Sequence, residues 1–246
     1  VYKNGIKELK ELYATGILNI QNDKNFIVAI ANKNYSNIVL NAINFRFYII
    51  TELDFRGNGD KITNKILIFI SRWCKNVECL DLGDCTGVTD VSGLSQCKML
   101  TWIDLSWCTG LTDVSGLGQC KKLEYLDLWY CKEVKGVSGL GQCKMLTELN
   151  LSNCTGVTDV SGLSQCKMLT VLKLNYCTGV TDVSGLSQCK MLSRLKLYEC
   201  KGLTDVSCLS QCKMLTGLDL RWCTNLTQEN VDSLKEELPH CNIYWL

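Results

Sequence analysis

One histidine, one proline and no apolar run of membrane-spanning length mark what this 246-residue sequence does without. The longest apolar stretch, ILIFIS from Ile66, is far short of the ~18 residues a membrane span needs. His240 is the single histidine, so a Cys–His nucleophilic pair has one chance pairing to draw on. No CxxC occurs, and Cys208-x₃-Cys212 and Cys74-x₄-Cys79 lack the partner pairs that a zinc site requires. No glycine-rich phosphate loop is present, because the glycines recur as turns of a repeat. Neither charge dominates: 26 Lys and Arg stand against 25 Asp and Glu, a net charge of +1. A dedicated nucleic-acid binder carries a basic excess or stripe, so that class of partner is not expected. These absences predict a chain without catalytic residues, metal site or cofactor.

What the sequence has is a period. From Cys74 onward it repeats every 23 residues, seven times, starting at Cys74, Cys97, Cys120, Cys143, Cys166, Cys189 and Cys212. The fullest copies read CKMLTELNLSNCTGVTDVSGLSQ and CKMLTVLKLNYCTGVTDVSGLSQ. A period of this size belongs to a solenoid, whose units are too small to bury a core alone and must stack on their neighbours.

Of 17 cysteines, 14 form two ladders at that period, one from Cys74 to Cys212 and the other from Cys85 to Cys223. Equivalent residues of stacked coils point the same way, about 5 Å apart. A disulfide within a ladder would need twisted geometry. Free cysteine behaves as a small buried hydrophobe, so the ladders read as reduced core residues of an intracellular protein. The first residues, VYKNGIKELKEL, are charged and helical in pattern, unlike a secretory signal, although the absence of an initial Met leaves room for an upstream segment. Sequons at Asn34 and Asn225 keep a secreted alternative open.

Within the copy from Cys97, apolar residues fall at Leu100, Ile103, Leu105, Cys108, Leu111, Val114 and Leu117. The alternation of Ile103 and Leu105 predicts a short strand buried on one face. The later spacing of three predicts a 3₁₀-like return. Stacked strands of such coils run parallel in one sheet. The pattern L-x-x-L-x-L-x-x-C-x-x-L resembles the leucine-rich-repeat proteins, in the variant with Cys for the usual Asn, over roughly residues 50 to 246. The Cys variant is similar to F-box-type repeats and the TDVSGL return to internalin-type repeats. The combined 23-residue form is most similar to leucine-rich-repeat proteins of trypanosomatid parasites. The resemblance implies an α/β fold: a horseshoe solenoid with a concave parallel β-sheet, a convex side of short 3₁₀ or loop segments, and a concave surface that binds a protein or peptide.

The ends depart from the repeat, as terminal units must to shield the core. Residues 1–49 suggest a helical cap, with helical patterns at Ile6 to Tyr13, Phe26 to Ala31 and Ile38 to Phe45. They have neither the Cys/His spacing of a RING finger nor an F-box reading. The solenoid is expected over 50–226, opening on a degenerate repeat with a helix from about Asn64 to Trp73 and with Asn58 near the usual Cys position. A C-terminal cap is expected over 227–246: Thr227 as N-cap, an amphipathic helix through Val231, Leu234 and Leu238, Pro239 as stop, and a last strand near Ile243.

Comparison of the copies separates fixed columns from free ones. The Lys after the first Cys and the Asp of TDVSGL barely vary and read as solvated loop edges, Asp also being able to bond local backbone N–H groups. The variable columns flank the buried L-x-L pair, and alternation places them on the concave side. Row one reads Cys79, Trp102, Tyr125, Glu148, Val171, Arg194, Gly217, and row two Asp81, Asp104, Asp127, Asn150, Lys173, Lys196, Asp219. Row three reads Gly83, Ser106, Trp129, Ser152, Asn175, Tyr198, Arg221, and row four Asp84, Trp107, Tyr130, Asn153, Tyr176, Glu199, Trp222. Exposed aromatics on a rigid sheet are residues that dominate binding energy, about 2 kcal/mol or more at a hot spot; the bland alternative is that they cover one another as cross-strand pairs.

The expected contact set is Trp102, Trp107, Tyr125, Trp129, Tyr130, Asp104, Asp127, Lys173, Tyr176, Arg194, Lys196, Tyr198, Arg221 and Trp222. Acidic residues gather in the first half of this surface and basic ones in the second, a pattern suited to a polar, specific protein partner. The function expected is therefore a non-enzymatic recognition module. A substrate-recognition adaptor of a ubiquitin-ligase-like complex and a surface or secreted adhesin are the alternatives. Cys79 and Cys208, outside the ladders, are the candidates for reactive thiols, with incidental substitution as the blander reading.

Overall fold

In a computed structural model, which describes residues 50–245, every copy of the repeat forms one coil of a stack. Each coil contributes a three-residue strand: β1 (Glu52–Asp54), β2 (Cys79–Asp81), β3 (Trp102–Asp104), β4 (Tyr125–Asp127), β5 (Glu148–Asn150), β6 (Val171–Lys173), β7 (Arg194–Lys196) and β8 (Gly217–Asp219). A last strand, β9 (Asn242–Tyr244), closes a nine-stranded parallel sheet whose order in space is its order in sequence. The register follows the period, with Leu80 beside Ile103, Ile103 beside Leu126 and so on.

The returns are 3₁₀ turns such as Ser92–Gln96 and Ser115–Gln119, closed by N–H bonds from Leu94 to the Val91 carbonyl and from Cys97 to Leu94. Their three-residue turn matches the apolar spacing, so Leu111, Val114 and Leu117 all point inward and are fully buried. Neighbouring returns touch closely: a Cβ on Gly116 would lie 2.5 Å from Ser92 Cα.

The fixed polar columns are structural. Asp90 Oδ1 accepts the Ser92 N–H at 2.7 Å, and Asp113, Asp159, Asp182 and Asp205 repeat the bond. The lysine column does more than line a solvated edge. Lys98, Lys121 and Lys144 donate to a carbonyl at the end of their own return and to one on the next coil.

Helix α1 (Asn64–Trp73) buries Ile66, Leu67, Phe69 and Ile70 and packs on the return Ser92–Gln96. At the other end α2 (Gln228–Glu237) packs on the return Ser207–Gln211, with Val231, Leu234 and Leu238 buried. Thr227 and Asn230 cap it reciprocally. The helical cap expected at residues 1–49 lies outside the described residues. Among the described residues no helix is long and apolar enough to cross a membrane.

Candidate binding surface

The strands carry only rows one and two. Row three follows the buried Leu that ends each L-x-L, and row four breaks the alternation assumed from sequence. All seven of its residues, from Asp84 to Trp222, have φ between 58° and 64°. This left-handed region is costly for any side chain and is normally glycine's. The turn is held by the inter-coil ladder, since Trp107 N–H donates to the Trp129 carbonyl and Tyr130 N–H to Ser152. Rows three and four therefore form a rim at the C-terminal ends of the strands.

Aromatic residues concentrate there. Trp107 stacks on Tyr130 with ring centroids 3.9 Å apart and meets Trp129 edge-on at 5.5 Å. Lys132 Nζ lies 4.2 Å from the Tyr130 ring centre. On the sheet proper, Trp102 and Tyr125 stack with centroids 5.3 Å apart and planes 7° from parallel. Farther along, Tyr176 and Tyr198 meet at 5.2 Å. The cross-strand pairing weighed as the bland alternative is thus present, yet Trp107, Trp129, Tyr176 and Trp222 keep 38%, 41%, 38% and 60% of their surface exposed.

The charged rows differ in exposure and in how far their groups are already engaged. Asp104 is buried, its carboxylate accepting the Ser106 N–H at 2.7 Å and paired with Arg56. Asp127 accepts from Trp129 N–H, the Tyr125 hydroxyl and Asn150 Nδ2. Burial pushes the Asp127 carboxyl above its ordinary range and Asp104 adds to this, outweighing those hydrogen bonds. Both aspartates accept the N–H of the row-three residue two positions on, Asp104 from a buried site and Asp127 from a half-buried one. In the basic half, Lys173 is engaged by Glu148 at 2.7 Å and Arg221 by Asp219 at 2.7 Å. Arg194 and Lys196 are exposed, with no carboxylate at ion-pair distance among the described residues.

Arg56 was missed. In register it precedes Gly83 in row three, and its guanidinium lies over that glycine, where a Cβ would be 2.7 Å from Arg56 Cζ. From there it reaches Asp81 at 2.9 Å and also Asp104. Extending the rows one degenerate repeat toward the N-terminus would have found it. The candidate thiols are not activated: burial, then Glu52 and Glu78, raises Cys79, and burial with Cys212, Asp205 and Asp182 pushes Cys208 up to about 12. Among the described residues no group of three or more His, Cys, Asp or Glu is placed to hold a metal ion.

Coil, return and repeat define the class as a leucine-rich-repeat solenoid. A family model described as "Leucine Rich repeat" matches residues 142–164, one repeat in length. The chain is similar in structure to internalin C2 of Listeria monocytogenes, with 19% identity over 89% of this chain and 92% of that one and a TM-score of 0.68. It is also similar to the leucine-rich-repeat domain of the type III effector XopL, at 16% identity over 99% and 94% of the two chains and a TM-score of 0.59. A leucine-rich-repeat protein of Leptospira interrogans shares 24% identity over 72% of this chain and 44% of its own, with a TM-score of 0.57. At these identities the likeness is one of fold. No curated protein sequence matches the chain.

Proposed function

We propose that this protein is a non-enzymatic recognition module that binds a protein or peptide across its concave sheet and aromatic rim, centred on Trp107, Trp129 and Tyr130. Leucine-rich-repeat folds commonly mediate protein–protein interaction. The observation that carries the reading is row four. In the degenerate first repeat the position aligned with Asp84 is Gly57, at φ 73°, the residue that left-handed backbone favours. In the seven regular coils it is never glycine, and four times it is Trp or Tyr. Side chains kept where backbone strain costs about 1–2 kcal/mol point to a use beyond the fold. Their partial exposure beside Trp129 gives a rigid apolar platform of the kind that anchors interfaces.

The thiol ladders support a reducing, intracellular setting for this module. Each buried second-ladder Sγ donates a proton that a disulfide would lack, as in Cys154 to the Leu128 carbonyl at 3.0 Å.

Peptides selected on the full chain from a display library test the surface. They are expected to bind Trp107→Ala/Trp129→Ala at least about tenfold more weakly while the variant's unfolding transition stays cooperative. Equal binding by the double variant would move the site off the rim.

A further inference from the structure

Gly217 is the one glycine in row one, which continues through Asn242 of β9. A Cβ at Gly217 would meet nothing within 4 Å, and the missing side chain opens a concavity of about 510 Å³. Its walls include Arg194, Lys196, Thr216, Asp219, Arg221 and Tyr244. The parallel register sets Arg194 beside Gly217 and Lys196 beside Asp219. Asp219 is the single carboxylate of this lining, and both its oxygens are occupied by Arg221, at 2.9 Å from Nε and 2.7 Å from Nη2. That pair, with the rings of Tyr198 and Tyr244 5.5 and 5.8 Å from the guanidinium carbon, fixes Arg221 in place. Arg194 and Lys196 form no ion pair among the described residues, although the Lys196 charge acts on Asp219 from a distance. Lys196 moreover stands in register with Lys173, a like-charge neighbour that disfavours the sheet.

We propose that this notch is an anion subsite that receives carboxylate side chains from an acidic segment of a protein partner. The proposal rests on the concave-surface reading and adds a polarity to it. An incoming carboxylate passes over Gly217 to the free donors of Arg194 and Lys196, with Arg221 pre-positioned behind them. The same segment is repelled at the other end, where Glu78, Asp84 and Glu124 are exposed. An extended partner is thereby aligned with its acidic part toward β8.

The probe is a fluorescein-labelled hexaglutamate peptide with an amidated C-terminus, followed by anisotropy on the full chain at low and high salt. Binding that weakens with salt is expected, reduced about tenfold in Arg194→Glu/Lys196→Glu, a loss of about 1.4 kcal/mol. Gly217→Trp fills the notch without changing charge and is expected to weaken binding to a similar degree, with thermal melts reporting that each variant folds. Trp107→Ala/Trp129→Ala is expected to bind hexaglutamate as the parent does. Equal affinity of the parent and the charge-reversed variant overturns the subsite. Displacement of the peptide by inorganic phosphate at concentrations where free glutamate has no effect also overturns it, marking a phosphate site instead. Should hexaglutamate behave as expected while display-selected peptides ignore the tryptophan substitutions, the rim reading falls and the subsite stands; the reverse pattern leaves the rim and removes the subsite.

Discussion

The Cys131 thiol donates to the carbonyl of Leu105, one coil earlier, at 3.0 Å, and that carbonyl also accepts the Cys131-equivalent N–H of its own coil, from Cys108. Both lone pairs of a fully buried carbonyl are thus used, and coil is tied to coil by a side chain. The motif repeats from Cys85 through Cys223. The cysteine column is therefore a polar ladder as well as apolar filling, where hydrophobic packing alone was expected.

Cys131→Ala is expected to cost about 2 kcal/mol, the sum of a small cavity and one unmade bond. Cys131→Ser keeps a donor and is expected to cost less. Urea midpoints of the two variants check this, and identical values would remove the hydrogen bond from the account.

The same burial makes the ladder thiols poor nucleophiles. It pushes Cys97 and Cys143 up to about 11 and Cys177 up to about 12. Ellman's reagent is expected to find few fast-reacting thiols in the native protein at neutral pH and 17 once it is denatured without reductant. A denatured count well below that number would show disulfides and contradict the reducing setting.

Gly136 stands where five other copies have Asp, and a Cβ there meets nothing within 4 Å. Gly136→Asp is expected to stabilise by about 0.5–1 kcal/mol, by supplying the bond to the Ser138 N–H that Asp159 makes to Ser161. Three residues on, Gly139→Ala places its Cβ 2.6 Å from Ser115 Cα and is expected to destabilise. Chemical denaturation of both variants gives the two signs.

Asp127 and Asp219 respond oppositely to acid. The raised Asp127 carboxyl binds its proton more readily folded than unfolded, so its charged form disfavours folding above the folded pKa, and that penalty is relieved as pH falls through it. Asp219 is lowered: burial pulls it up, but the Arg221 hydrogen bonds and the charges of Arg221 and Lys196 outweigh burial. Its contribution is present above the unfolded value and is lost as pH falls through the folded one. Asp127→Asn is therefore expected to gain stability relative to the parent near neutral pH, the gain shrinking toward about pH 4, whereas Asp219→Asn shows a deficit that shrinks over the acid range. Urea midpoints across that range decide it, and a pH-independent Asp127→Asn difference would contradict the assignment.

The period made the solenoid legible, because each coil's apolar positions are decided by contact with an identical neighbour. Thr227, Val231 and Leu234 likewise announced α2 through capping and spacing. The surface was legible only in part. Alternation identified Trp102 and Tyr125 correctly on the strand, but it cannot register that Trp107 and Tyr130 sit in left-handed backbone, since no glycine marks the turn. Nor does a row of aspartates reveal that Asp104 and Asp127 spend their oxygens on N–H groups two residues onward. Arg56 escaped because the first repeat is longer and falls outside the period.

The most direct test is the affinity of a display-selected peptide for Trp107→Gly. Relief of left-handed strain, about 1–2 kcal/mol, offsets part of the two lost ring contacts, each about 0.5–1.5 kcal/mol beyond area burial, so the unfolding midpoint is expected to fall only modestly. Affinity is expected to fall at least about tenfold, because the side chain is held for the partner. Unchanged affinity together with a clearly less stable fold would contradict the account and make the rim a structural device.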